Sequence, residues 1–528
     1  MLTSPLMLIL TLSSFITAAV VHAAPPTPLQ ALIDAAIAAG APTLTLPPSE
    51  IFEQGNTSLM ITATNFLFDA NGARIVFSPG AGVVIERSSQ VEVRNATVSY
   101  NPPSFSQGAV VAADLNALTI DVLLDAGFAA PNAAFFTTVE IKMQFFDGAT
   151  RERSLPQSGC CLVSVAGPTA VADTWRFKLD AGGCKCVVPP LSGLLATISP
   201  RVNGFDYQIP GGYVGGAWWV FNSSSVTTRA VTLLGSGNFA FSEWGGDGAH
   251  VYDGIVLARD GNNLLSSNTD GFHSFAVGAG PTIKSASLSW MGDDVANFHN
   301  RVGLILSTAV TPGGALMAII IDVGDTPTPR LDPANPSRVL AFAVTGDVLK
   351  ISSPSGVPRG IAPEGAFVLE SSLVWSSDTA IVAAAKAAIA ARPGVPVDPR
   401  GIGAWQAVFN VPGTDVAPGD VVQFDRYAGV GAVVVDSVFT DAYDSCFRLQ
   451  SRDAQLINNT WARMSSGVNI GYDPDWLEGA SDIANIQIDG NTFRAVGFPP
   501  KTTIAEIISM QKTVVNVTQA NNVVLPSL

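Results

Sequence analysis

From Asn65 onward the chain is written in short apolar runs, such as Arg74-Ile75-Val76-Phe77, Val83-Val84-Ile85 and Val91-Glu92-Val93, separated by Asn, Asp, Gly and Ser. Alternation with period two is the mark of a strand with one buried face. Strands this short at close, regular spacing predict stacked coils rather than a sandwich. The same texture returns after Ala217 and again from Val433 to the C-terminus. Helical patterning predicts a short amphipathic helix over Leu29–Ala39, just ahead of Thr43–Leu46, where it would blunt an open sheet edge. Two stretches break the pattern. Residues 107–200 carry longer runs, Thr137–Phe145 and Thr174–Leu179, and read as a β-barrel-like insertion. Residues 303–430 are rich in Pro and Gly, with one Ala-rich helical run at Thr379–Ala391, and read as an irregular insertion.

A repeat supports the coils. Asp247-Gly248, Asp270-Gly271 and Asp293-Asp294 are spaced by 23 residues, as are His250 and His273, and His299 follows 26 later. Val438-Phe439 and Thr460-Trp461 recur at 22, and Asn491-Thr492-Phe493 brings back the same turn-plus-aromatic pattern. One period of 20–25 residues is one coil of a parallel β-helix, with rungs about 4.8 Å apart. The 23-residue step is therefore expected to stack Asp247, Asp270 and Asp293 in one column. The predicted fold is all-β: a right-handed parallel β-helix with an inserted β-barrel-like domain. Residues 24–106 form the cap and first coils, 107–200 the barrel, and 201–528 the main helix.

Composition narrows the function. Only 13% of residues are charged, and 49 are Gly, which suits turn-rich β-structure. The net charge of −15 repels polyanions, so nucleic acid is excluded as a partner and a neutral substrate is favoured over uronates or sulfated glycans, unless a local basic pocket overrides the mean. Residues 1–23 read as a signal peptide, apolar from Leu6 to Val21 and ending in Val21-His22-Ala23. No later stretch approaches the roughly 20 apolar residues of a membrane span. The expectation is a secreted protein with no membrane contact after cleavage. Sequons at Asn56, Asn95, Asn222, Asn458 and Asn516 fit that route and predict a glycoprotein. Cys160, Cys161, Cys184 and Cys186 cluster as two disulfides would in an oxidising compartment; adjacent cysteines are poor zinc spacing, and Cys446 is left over.

The chemistry concentrates in Asn268-Thr269-Asp270-Gly271-Phe272-His273 and Gly292-Asp293-Asp294-Val295-Ala296-Asn297-Phe298-His299. All three histidines beyond the leader fall between 250 and 299. Carboxylates this close cannot all ionise, so one keeps a proton as an acid while others stay anionic. Glycoside hydrolysis needs that division: an acid for the leaving oxygen and a carboxylate to activate water. Asp-Gly is also a common turn dipeptide, and for Asp247 the turn and site readings weigh equally; His250 reads as structural. Asp and His could also hold Ca²⁺ or Zn²⁺, but the spacing fits no EF-hand or zinc motif, so no cofactor is expected.

These two stretches, with Phe105-Ser106-Gln107-Gly108 and Asp473-Pro474-Asp475-Trp476-Leu477-Glu478-Gly479, resemble glycoside hydrolase family 110, inverting α-1,3-galactosidases on a parallel β-helix. The resemblance implies Asp293 as general acid, Asp270 and Asp294 as the carboxylates that activate water, and a carbohydrate partner. It also implies that His273, His299, Asn297, Arg452, Trp476 and Glu478 lie near the sugar. Asn300 and Asp453 depart from the family pattern, where Gly is usual. Polygalacturonase-like hydrolases share the Asn-Thr-Asp and Asp-Asp arrangement, but their Gly-His-Gly and Arg-Ile-Lys are missing after Asp294. A non-catalytic cell-wall or adhesion rod is the reading from another class; it predicts the three aspartates exposed on a flat ladder.

Overall fold

The computed structural model describes residues 28–525 apart from 134–135, 137–139, 155–160, 181–190, 192, 202–215, 301, 324–345, 354–358, 360–365, 370–373, 376–378, 391–401, 410–414, 425, 427, 472–478, 480–482, 498–499 and 512–513. The signal-peptide segment, Cys160, Cys184, Cys186, the side chain of Cys161, Trp476 and Glu478 lie outside the described residues.

Three long parallel sheets run the length of the molecule, two of ten strands and one of nine. Each coil gives one short strand to each sheet. Val83–Glu86, Ser89–Arg94 and Thr97–Tyr100 make one coil, and Trp218–Phe221, Thr227–Arg229 and Thr232–Leu234 stack on them in register. This is the expected parallel β-helix. Its interior is one continuous apolar column filled by the inward half of every alternating strand, including Ile85, Val93, Val98, Trp218, Phe272 and Phe447. The 22-residue repeat is real: Phe439 pairs with Trp461 and Trp461 with Phe493, their rings stacked at 4.5 and 6.4 Å.

The corner between the two ten-stranded sheets explains several asparagines. From Ser89–Arg94 onward the coils pass it through one left-handed residue: Asn95, Ala230, Gly254, Ser285, Asp436, Asn458, Gly490 or Asn521, all with φ between 49° and 67°. Asn tolerates that region better than most residues. The next residue turns inward, and Asn459, Asn491 and Asn522 build a ladder there. Asn459 N–H donates to Asn491 Oδ1 and Asn491 N–H to Asn522 Oδ1, each at 3.0 Å. A corner Asn followed by an inward residue and a strand-opening Thr is itself an Asn-x-Thr triplet. Asn95-Ala96-Thr97 and Asn458-Asn459-Thr460 therefore have a structural reason independent of glycosylation.

The helix Pro28–Ala38 caps the first coil. It buries Leu29 and Ile33 in the column. The Gln30 amide donates to Met60 O at 2.9 Å and accepts from Met60 N at 2.7 Å, which satisfies the edge strand Leu59–Ile61.

Two units project from the coils. Ser106–Asp114, Thr119–Leu124, Glu140–Asp147, Cys161–Pro168, Thr174–Leu179 and Leu194–Arg201 close into an antiparallel barrel around Ile120, Met143, Phe145 and Phe177. Within the stretch expected to be irregular, the described residues form regular structure. Seven antiparallel strands between Val302 and Phe424 form one sheet, and the helix Thr379–Ala390 packs on it through Ala385. Its strands pair across long sequence separations, as Leu316–Val323 does with Ile402–Phe409, so no local spacing announced them. This sheet lies on the outer face of the nine-stranded sheet, where Leu316, Ile320, Leu349 and Trp405 cover Val84, Trp219, Trp244 and Phe275.

Candidate active site

Strand alternation decides what the centre of the nine-stranded sheet presents. Phe272, Phe298 and Phe447 point inward and pack edge to face at 5.6 and 4.7 Å. Their neighbours therefore point outward, and Ser242, His273, Asn297 and Arg448 stand in one register across four rungs. Asp270 and Asp294 lie two residues ahead of the paired residues Phe272 and Ala296, so they occupy equivalent corners of adjacent coils. Gly271 N–H donates to Asp294 O at 3.0 Å and closes that corner.

Asp270, Asp293 and Asp294 are brought together, each with an oxygen within 4.8 Å of the others, and all are at least nine-tenths buried. A flat exposed ladder, the rod reading, is not what is observed. Gly292 is required by the tightness of the turn: a Cβ there would lie 2.3 Å from Asn268 O.

The three carboxyls have unlike surroundings. Asp270 Oδ2 faces His273 Nδ1 at 2.8 Å, and His273 Nε2 meets His299 Nε2 at 2.9 Å. His299 Nδ1 donates to Asn300 O at 3.2 Å. Asp270, His273 and His299 thus form one connected chain of polar side chains ending at a backbone carbonyl. Phe239 stacks on His273 at 4.0 Å, with Trp244 beyond. Asp293 stands 3.4 Å from the Lys142 ammonium. Asp294 Oδ1 accepts from Ser445 N at 2.8 Å, and its other oxygen is 3.7 Å from Arg448. Burial, then the charges of Asp444, Asp270 and Asp293, push the Asp294 carboxyl well above the usual range, against the pull of Arg448. The surroundings of Asp294 thus favour its protonated form.

The barrel reaches into this site. Lys142 Nζ and Gln144 Nε2 donate to Gly292 O at 2.9 and 2.6 Å, and Arg153 Nη2 donates to Met291 O at 2.7 Å. Lys142 also lies over the Tyr443 ring at 4.0 Å. None of Lys142, Gln144, Arg153 or Arg448 was singled out by sequence patterning. The barrel residues are about 150 positions from the aspartates, and Arg448 follows the second insertion, so no local spacing links them.

The structure gathers His273, His299 and Asn297 beside the aspartates. Arg452 sits in the turn beyond the strand Ser445–Leu449, its guanidinium 3.9 Å from Asp453, and Arg448 on that strand meets the cluster at Asp294. Asp247 does not join the column. The rung step there is 31 residues, from Phe241 to Phe272, and only the next, Phe272 to Ala296, is 24. Asp247 is therefore an exposed corner residue near Arg426 at 3.5 Å. The equal 23-residue spacing was a coincidence of loop lengths. His250 is structural, its Nδ1 accepting from Val226 N at 3.1 Å. The carboxylate trio has the spacing to hold a cation, but Lys142 and Arg448 already place positive charge against two of its members.

No family model and no curated protein matches the sequence. Among solved structures, a mannuronan C-5 epimerase A-module of Azotobacter vinelandii is 10% identical over 94% of this chain and 92% of its own, with a TM-score of 0.32. An endo-xylogalacturonan hydrolase from Aspergillus tubingensis is 8% identical over 94% and 88%, with a TM-score of 0.36. A tailspike protein of E. coli bacteriophage HK620, in complex with a pentasaccharide, is 8% identical over 94% and 59%, with a TM-score of 0.29. Likenesses this distant say nothing about chemistry, and the fold assignment rests on the strand register itself.

Proposed function

We propose that this chain is an exported glycoside hydrolase that removes terminal α-1,3-linked galactose from neutral glycans. The observation that carries the hydrolase reading is the buried trio Asp270, Asp293 and Asp294, held within 4.8 Å yet in three different electrostatic settings. Asp294 holds the proton and acts as the acid for the glycosidic oxygen. Asp293, beside Lys142, and Asp270, beside His273, stay anionic. Two carboxylate oxygens this close can both contact one water at about 2.8 Å. That water attacks the anomeric carbon and gives its proton to one of these two carboxylates, while the glycosidic bond breaks and the acid protonates the departing oxygen. The surroundings thus favour Asp294 over Asp293 as the proton holder, a different division from the one the family resemblance implies. The galactose specificity rests on the resembling motifs and on the acidic net charge; export rests on the leader.

The resemblance implies inversion. A second reading, retention with Asp270 or Asp293 as nucleophile, draws on the carboxyl separation. Inverting sites typically place their carboxyls about 6.5–9.5 Å apart and retaining ones about 5 Å. One experiment tests all of this: incubate the protein with an α-1,3-linked galactobiose and with a linear α-1,4-galacturonide, and follow the released sugar and its anomer by NMR. β-Galactose from the first alone supports inversion, and α-galactose supports retention. Release from the galacturonide alone replaces the galactosidase reading with the polygalacturonase one, and release from neither overturns the galactosidase assignment.

A further inference from the structure

The barrel insertion is joined to the aspartate turn by buried polar side chains. Lys142 is 1% exposed and lies on the strand Glu140–Asp147. A buried lysine is costly unless its charge is met. Here it is met by Gly292 O at 2.9 Å, Asp293 Oδ2 at 3.4 Å and the face of Tyr443 at 4.0 Å. Gln144, on the same strand and face, donates to the same carbonyl. Arg153 fixes the carbonyl one residue earlier. Three barrel side chains therefore converge on the two peptide groups that lead into Asp293 and Asp294.

The charged and titratable groups around Asp293 are Asp270, Asp294 and Asp444 on the coils, with Arg448 against Asp294, Tyr443 in the next corner, and Lys142 and Arg153 from the barrel. The Lys142 ammonium is in salt-bridge range of the Asp293 carboxylate. Without it, the Asp293 carboxylate would lose the ammonium 3.4 Å away while still facing Asp270 and Asp294, and its affinity for a proton would rise.

We propose that the barrel is part of the catalytic unit and that Lys142 is its positioning residue: its ammonium keeps Asp293 anionic, and with Gln144 it fixes the Met291–Asp294 turn. This rests on the hydrolase reading of the aspartate cluster. Lys142 touches no reacting atom; it acts through Asp293.

The test uses the full chain with Lys142→Met, which keeps the length and loses the charge, Lys142→Arg, which restores the charge, and Gln144→Leu, which loosens the turn with the charge in place. Two readouts are taken: the pH profile of kcat/KM, and the titration of the Asp293 carboxyl in ¹³C-Asp-labelled protein, assigned by comparison with Asp293→Asn. In Lys142→Met the acid limb and the Asp293 titration should both move up by at least one pH unit, with at least a tenfold loss of kcat/KM on the acid side. Lys142→Arg should return both most of the way. Gln144→Leu should lower kcat and leave the limb in place. A Lys142→Met protein whose Asp293 titrates as in the wild type overturns the proposal. The carboxyl titration needs no turnover, so it decides the role of Lys142 even if the hydrolase reading fails.

Discussion

Glu243 offers a test of the β-helix interior. It lies on the strand Phe241–Trp244 on the inward face shared with Phe241, and it is fully buried. Its Oε1 accepts from Ser274 Oγ at 2.6 Å, and Tyr252 lies alongside. Burial raises its carboxyl to about 8, opposed by the hydroxyls of Ser274 and Tyr252. In the unfolded chain the same group loses its proton near 4.5. Between those values the unfolded state binds fewer protons than the folded state, so stability falls as pH rises, by about 1.4 kcal/mol per unit. The penalty is absent below pH ~4.5, reaches about 3 kcal/mol at pH 7 and is complete, at about 5 kcal/mol, above pH ~8. Glu243→Gln keeps an acceptor for Ser274 and cannot ionise. Urea unfolding of both proteins at pH 4.5, 6, 7 and 8 should give curves that agree at the lowest pH. The variant should then gain steadily, reaching about 3 kcal/mol at pH 7. A difference that stays flat across this range, or a variant less stable at pH 7, would refute the reasoning that burial holds Glu243 protonated.

Other outcomes follow from the same geometry. Burial lowers His250 to about 3 from 6.5; the unfolded state binds the extra proton below pH 6.5, so stability should fall as pH drops from 6.5 toward 3, and His250→Gln should flatten that limb in acid-unfolding curves. Asp293→Asn and Asp294→Asn should each lower turnover by 10²-fold or more with unchanged circular dichroism; near-wild-type activity in either would remove that residue from the mechanism. Gly292→Ala forces a Cβ toward Asn268 O and should displace the aspartate turn, lowering kcat more than global stability, as measured by paired kinetics and thermal melts.

The sequence alone determined the coil architecture, the capping helix and the place of the barrel, because these are local signals. Period-two alternation, turn residues at corners and recurrent aromatics such as Phe439, Trp461 and Phe493 are legible wherever neighbouring residues share one coil. It also singled out Asp270, Asp293, Asp294, His273 and His299, since acids and imidazoles this dense in a charge-poor chain stand out. Tertiary structure decided which of them meet. Coils of 31 and 24 residues set Asp247 aside and aligned Asp270 with Asp294, and that register depends on loop lengths the sequence does not display as spacing. It also decided the charge of the site. Lys142 arrives from the barrel and Arg448 from beyond the second insertion, so the electrostatics that distinguish the three carboxyls come from contacts across about 150 residues of chain. Coulomb interactions and desolvation act through space, and only the folded chain fixes those distances.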